Sequence, residues 1–151
     1  MDSQGRHLYF ALFNEIGIIA QLSRAAFEAR LPPGITVPHF SVLNHLVRLG
    51  DGRTPLAIAR AFQAPKTSMT HTLAGLEARG LIAMRPNPKD KRSKCVWLTE
   101  QGRRFRDEAI GRLEPDLAAL ARQLPPERLA DLVPRLAEIR AILDAARDEP
   151  A

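Results

Sequence analysis

Residues 75–102 read GLEARGLIAMRPNPKDKRSKCVWLTEQG, and the fold turns on how this stretch changes character along its length. Leu76 closes a narrow apolar series, Met69, Leu73 and Leu76, at helical spacing. Gly80 fits the position just past a helix end, where a residue without Cβ turns left-handed at no steric cost. Beyond it, Ile82 and Met84, and then Val96 and Leu98, alternate with other residues at the period of a strand pair. Pro86-Asn87-Pro88-Lys89-Asp90-Lys91-Arg92-Ser93-Lys94 lies between them, with two prolines and four cations. Such a run is predicted to be a solvated loop, which makes this a β-hairpin with a long basic tip. Thr99 is a good N-cap for a further helix.

Upstream, four helices are predicted. In the first, Leu8, Leu12, Ile16, Ile19, Leu22 and Ala26 recur at intervals of three or four. Phe10, Phe13 and Phe27 lie off that stripe, so this helix needs more than one apolar neighbour, a second chain included. It stops at Leu31-Pro32-Pro33-Gly34. The second starts after the Thr36 cap, with Pro38 in its first turn, a buried stripe of Phe40, Leu43 and Leu46 or Val47, and Gly50 beyond its end. Thr54 and Pro55 repeat the cap-then-proline start for a short third helix ending near Phe62, with Leu56, Ala59 and Phe62 on one side. Pro65 opens a fourth, running to about Arg79. Two helices joined by so short a turn are a helix-turn-helix candidate.

Downstream of Thr99, a fifth helix carries Phe105, Ala109, Leu113, Leu117, Leu120 and Leu124, and Pro125-Pro126 ends it. A last helix carries Leu129, Leu132, Leu136, Ile139 and Leu143, with Pro134 expected to kink or split it. The final few residues look frayed. The expected fold is therefore mainly α with a small β-hairpin wing, a winged helix-turn-helix with long N- and C-terminal dimerisation helices. The 151 residues read as one domain. Residues 36–100 form the winged helix-turn-helix lobe, and residues 8–30 and 101–148 a helical dimerisation region.

The charge is uneven. The chain has 22 Lys and Arg against 17 Asp and Glu, for a net +5. From Ala64 to Arg106 the counts are 10 and 3, a net of +7, so the remainder is slightly acidic. A basic segment on a near-neutral body is the footprint of a phosphate-binding surface. No apolar run approaches a membrane span, and the first residues do not read as a secretory signal, so a cytoplasmic location is expected. A single cysteine, Cys95, allows no internal disulfide.

With Met69, Leu73 and Leu76 inward, the fourth helix points Thr67, His71, Ala74, Gly75 and Ala78 outward. Ser68 and Thr70 flank that face, and Lys66 sits in the first turn. Short polar groups at the leading end can reach base edges and phosphates, and small residues behind them let a helix lie close in a major groove. On the wing, Lys89, Lys91, Arg92 and Lys94 suit a minor groove, where A·T tracts concentrate negative potential. Asp90 fits there as the carboxylate that orients Arg92.

These residues resemble the MarR family of bacterial regulators. The resemblance is carried by Leu76-Glu77, Gly80-Leu81-Ile82, Asp90-Lys91-Arg92-Ser93, and Leu98-Thr99 with Gly102, preceded by SMTHTL at residues 68–73. It implies homodimers built from the interlocked first, fifth and sixth helices, the fourth helix in the major groove and Arg92 in the minor groove. The expected function is a ligand-responsive repressor, although the sequence does not fix the sign of regulation, and because a dimer presents two such helices, the expected operator is an inverted repeat. Small aromatic or anionic effectors are expected between the dimer helices and the DNA-binding lobes. The chain departs from the family pattern at two positions. His71 stands where arginine is frequent, and Pro65 where a capping serine is common.

Other readings carry less. Cys95 falls in a strand pattern, and the first helix lacks the cysteine of the family's peroxide-sensing branch. His7, His39, His45 and His71 show no metal spacing, and no nucleophile motif, phosphate loop or catalytic carboxylate pair occurs. No cofactor, metal or enzymatic activity is expected. The alternative is a winged-helix protein-interaction module without specific DNA binding, its basic wing merely solubilising.

Overall fold

The computed structural model describes residues 2–148; the expected frayed end, beyond residue 148, lies outside the described residues. The elements run α1 (Ser3–Glu28), α2 (Val37–Leu49), α3 (Pro55–Ala61), α4 (Lys66–Ala78), β1 (Ile82–Asn87), β2 (Asp90–Leu98), α5 (Glu100–Gly111), α6 (Glu114–Ala121) and α7 (Pro126–Asp148). The expected fold class is what forms: a mainly helical chain with one antiparallel hairpin. The chain divides into two compact units after Arg112, within the region 101–148 that reads from sequence as one.

The core of the first unit gathers Val42, Leu43 and Leu46 from α2, Ile58 and Ala59 from α3, and Met69, Leu73 and Leu76 from α4. Ile35, Leu81, Ile82 and Val96 complete it. The α4 stripe is the expected one. The α3 stripe is not: Ile58 is fully buried, whereas Leu56 is 46% and Phe62 37% exposed. A helix of seven residues holds two overlapping apolar sets, and packing against α4 selects between them. In α2, Val42 and His45 are buried and Phe40 only half-buried. Phe40 meets Phe27 edge-on, ring centroids 4.4 Å apart, and so ties α2 to the end of α1.

The passage from α4 into the hairpin is built from backbone geometry. The Gly80 N–H donates to Glu77 O (2.9 Å) and the Leu81 N–H to Leu76 O (3.0 Å), the paired bonds of a Schellman helix stop. Gly80 has φ +67°, a conformation that costs a residue with Cβ roughly 1 kcal/mol or more. Leu76 and Leu81, both buried, supply the apolar contact that accompanies this motif. The start of α5 is tied into the same turn. The Thr99 hydroxyl donates to Gly80 O (2.7 Å) and accepts from Gly102 N (2.9 Å), while Thr99 N donates to Leu81 O (3.2 Å). Gly102 lies so close to the Leu81 carbonyl that a Cβ there would overlap it.

The hairpin corrects the sequence reading. The residues expected as a long loop are mostly strand: β2 begins at Asp90, and only Pro88 and Lys89 lie between the strands. Cross-strand pairing captures polar residues that composition assigns to solvent. Arg53 adds an isolated bridge to Val96 on the other side of β2.

The expected single fifth helix is two, α5 ending at Gly111 in the first unit and α6 starting at Glu114 in the second. Pro115 occupies the first turn of α6. It has no N–H for the bond to Gly111 O and crowds that carbonyl, so the helix restarts there. Pro134, by contrast, lies inside a continuous α7. It deletes one ladder bond, and the chain keeps its helical assignment on both sides.

Gly102→Ala is expected to lose about 2–4 kcal/mol of stability, because the new methyl must displace backbone rather than a flexible side-chain tip. Urea unfolding checks it. A midpoint equal to that of the unsubstituted chain would mean that α5 can shift away from the turn at no cost.

Candidate nucleic-acid interface

Pro65 occupies the cap position before α4 and makes no side-chain capping bond. The absence of a capping hydroxyl leaves the first amides of the helix to solvent or to a ligand, at the end where the helix dipole is positive. Lys66, Thr67, Ser68, Thr70 and His71 are all exposed, as the helical projection requires once Met69, Leu73 and Leu76 are inside. Thr70, which flanks the outward face, is already engaged as a donor. Its hydroxyl donates to Lys66 O at 2.8 Å, which leaves its oxygen as an acceptor. Thr72 does the same to Ser68 O at 3.1 Å.

Gly75 does not face outward. A Cβ on it would stand 2.7 Å from Nε2 of His39, so its smallness serves the contact between α2 and α4. His39 has a second task. Its Nδ1 accepts the Thr36 N–H at 3.1 Å and closes a capping box at the start of α2. A nitrogen that accepts from an N–H carries no proton, so the bond requires the neutral ring. Burial, then the Arg79 guanidinium, then His71 push the His39 pKa below the ordinary histidine value. His45, packed 5.2 Å from the Phe62 ring, is lowered by burial and by Arg53 and Arg48. Neither role is legible in the sequence: a histidine at the third position of a helix and one between Asn44 and Leu46 carry no distinctive signal.

On the wing, Lys89, Asp90, Lys91, Arg92 and Lys94 are exposed. The strands pair in register from Ile82 opposite Leu98 to Pro86 opposite Lys94, then shift so that Asn87 faces Asp90. Lys91, Arg92 and Ser93 are thereby left as a bulge on β2. Pro88 accounts for it. Proline fixes φ near −65°, which excludes the mirror-image turns that match strand twist, and neither Pro88 nor Lys89 has positive φ. The bulge takes up the mismatch.

Asp90 and Arg92 are in contact. Its Nε lies 3.4 Å from Oδ1 of Asp90, and the Arg92 side chain is 94% exposed. The Arg92 backbone N–H donates to the same oxygen at 3.0 Å. Cys95 is buried in β2. Among the described residues no group of three His, Cys, Asp or Glu could hold a metal ion, and no helix is long and apolar enough to cross a membrane.

Comparison with known proteins bears out the resemblance. The family model that matches, over residues 34–93, is that of the MarR family. Among solved structures, the transcriptional regulator BldR of Sulfolobus solfataricus is 24% identical, with a TM-score of 0.75 over 93% of this chain and 99% of that one. The apo form of MarR from E. coli is 25% identical, with a TM-score of 0.71 over 85% of this chain and 96% of that one. A MarR-family transcriptional regulator from Rhodococcus sp. RHA1 is 23% identical and covers 99% of this chain and 100% of its own, with a TM-score of 0.64.

Because His39 and His45 hold a proton less tightly folded than unfolded, the unfolded chain binds more protons below its histidine pKa of about 6.5. Stability is expected to be complete above that pH and to fall as the pH drops through the window beneath it. Urea midpoints at pH 7.5 and 5.5 measure the loss, and His39→Gln and His45→Gln should each flatten it. A slope unaltered in both variants would assign the effect to other groups.

Proposed function

We propose that this chain, which has the MarR-family winged-helix fold, is a sequence-specific double-stranded DNA-binding transcriptional regulator, acting in the cytoplasm as a homodimer and as a ligand-responsive repressor. The observation that carries the reading is the pairing of two exposed features on one small core. α4 buries Met69, Leu73 and Leu76 and leaves Lys66, Thr67, Ser68, Thr70 and His71 outward, while the adjoining hairpin presents Arg92 braced by Asp90. α4 enters the major groove with its leading end, where Thr67 and His71 meet base edges. The wing enters the minor groove with Arg92, and Lys89, Lys91 and Lys94 meet the phosphate backbone.

The dimer is supported by apolar surface that the chain itself does not cover. On α1, Leu8 is 72%, Phe10 70% and Leu22 65% exposed, and α1 has no buried residue. On α7, Val133 is 58% and Ile142 63% exposed. Patches of this kind mark subunit contacts. A two-fold dimer presents two copies of α4, so the operator is an inverted repeat with half-sites about 10 bp apart.

An effector site is supported by a cavity of about 340 Å³ in the first unit, whose lining includes Arg24, Ser41, Phe62, Ser68, Met69 and Thr72. Its aromatic and thioether walls with one guanidinium suit a small aromatic anion. Ser68 and Thr72 belong to α4, so an occupant bears directly on the recognition helix.

The deciding experiment selects duplexes from a random pool with the full-length protein, then titrates the enriched duplex against salt. A steep linear fall of log affinity with log salt is expected. Arg92→Ala should weaken binding by about 1–3 kcal/mol without unfolding the chain. Lys91→Ala should weaken all sequences alike and lower the salt slope by about one, while Thr67→Ala and His71→Gln should change the enriched sequence. No enrichment and no binding at low salt would favour the protein-interaction module instead. Light scattering should give twice the 16.7 kDa chain mass at micromolar concentration; a single-chain mass would remove the dimer and with it the inverted repeat.

A further inference from the structure

The wing holds more hydrogen bonds than a pair of strands and an Asp–Arg contact require. Asn87 uses both ends of its amide. Its Oδ1 accepts the Lys89 N–H at 3.0 Å, the bond of an Asx turn, and its Nδ2 donates to Ser93 Oγ at 3.0 Å. The orientation of the amide follows from chemistry: the backbone N–H of Lys89 can only donate, so the atom facing it is the oxygen. The Ser93 hydroxyl then passes its own proton to Asp90 O at 3.1 Å. Asn87 and Ser93 are half-buried, whereas Asp90, Lys91 and Arg92 around them are exposed.

These bonds close a ring. Asn87 lies on β1 just before the turn, Ser93 is the last residue of the bulge, and Asp90 opens β2 on the other side of it. Lys91 and Arg92 are the residues enclosed, and Asp90, whose backbone is held by Ser93, is the one whose carboxylate grips Arg92. A three-residue bulge on an exposed hairpin has no ladder bonds of its own to define it. Without a clasp it would sample many conformations, and ordering it on binding would cost affinity.

We propose that Asn87 and Ser93 are positioning residues that clasp the wing bulge and so aim Arg92 at its target, a role that rests on the reading of the wing as a DNA-contacting element. Neither side chain touches DNA in this arrangement; both act through Arg92. The clasp pre-forms the bulge in the free protein, so Arg92 arrives with its backbone fixed and only its outer side chain left to adjust.

The test is a double-mutant cycle read by fluorescence anisotropy at fixed moderate salt, using full-length protein and the duplex it enriches from a random pool. Asn87→Ala and Ser93→Ala should each weaken binding roughly three- to tenfold, the worth of one or two neutral hydrogen bonds. Ser93→Thr keeps the hydroxyl and should retain most of the affinity. Combined with Arg92→Ala, either alanine should add nothing further, because the group it positions is gone. Equal losses with and without Arg92 would overturn the proposal, since the clasp would then act through the wing lysines or through the fold. So would an unchanged affinity for Asn87→Ala and Ser93→Ala beside a weakened Arg92→Ala, with the DNA-contacting wing left standing. An Arg92→Ala variant that binds like the parent would overturn the wing reading itself, and the clasp with it.

Discussion

The structure depends on the sealing of Leu76 and Ile82 into one core although only five residues separate them from end to end of the α4-to-β1 turn. Leu76 is the last inward residue of a helix and Ile82 the first of a strand, and both are buried among the same neighbours. The chain must therefore stop a helix, reverse its hand for one residue and leave as a strand, with no slack. Gly80 supplies the left-handed step, and the Leu81 and Gly80 amides satisfy the helix's last carbonyls. Thr99 and Gly102 then bring α5 onto the same turn, so the end of α4, the root of the wing and the start of α5 share one set of bonds.

That shared set fixes the exposed surface as firmly as the buried one. Three inward residues on α4 determine which way Thr67 and His71 point, because a helix has only one rotation that buries a given stripe. Val96, buried opposite Met84, determines in the same manner which way the paired residues of β2 face. The exposed side chains are thus placed by buried ones. The exposed pair Asp90 and Arg92 adds little stability of its own; its value lies in orientation, which is also what the bonds around Asn87 and Ser93 supply.

The two units differ in what completes them. The first has a closed core made of its own residues. α1 and the helices of the second unit leave large apolar side chains in solvent, a pattern that a folded monomer seldom tolerates. The winged lobe closes its own core, while α1, α6 and α7 keep large apolar side chains exposed.

The sequence by itself determined the element order from α1 to the start of α5, the α4 stripe, the caps at Thr36, Thr54 and Thr99, and the outward residues from Lys66 to His71. These follow from periodicity and local chemistry, which act within a few residues. Asp90 and Arg92 were legible for the same reason, being two positions apart. What only the tertiary structure decided depends on distant neighbours. Ile58 rather than Leu56 faces the core because α4 lies on that side. Gly75 is small because a histidine from α2 stands against it. The basic run joins a strand only because β1 pairs with Asp90 and Lys94 at its ends, and Asn87 and Ser93 become a clasp only once the shifted register loops out Lys91, Arg92 and Ser93 and brings the two side chains within hydrogen-bond reach. Pro115, by contrast, was in plain view: its local rule was enough to end α5, and the longer apolar periodicity concealed it.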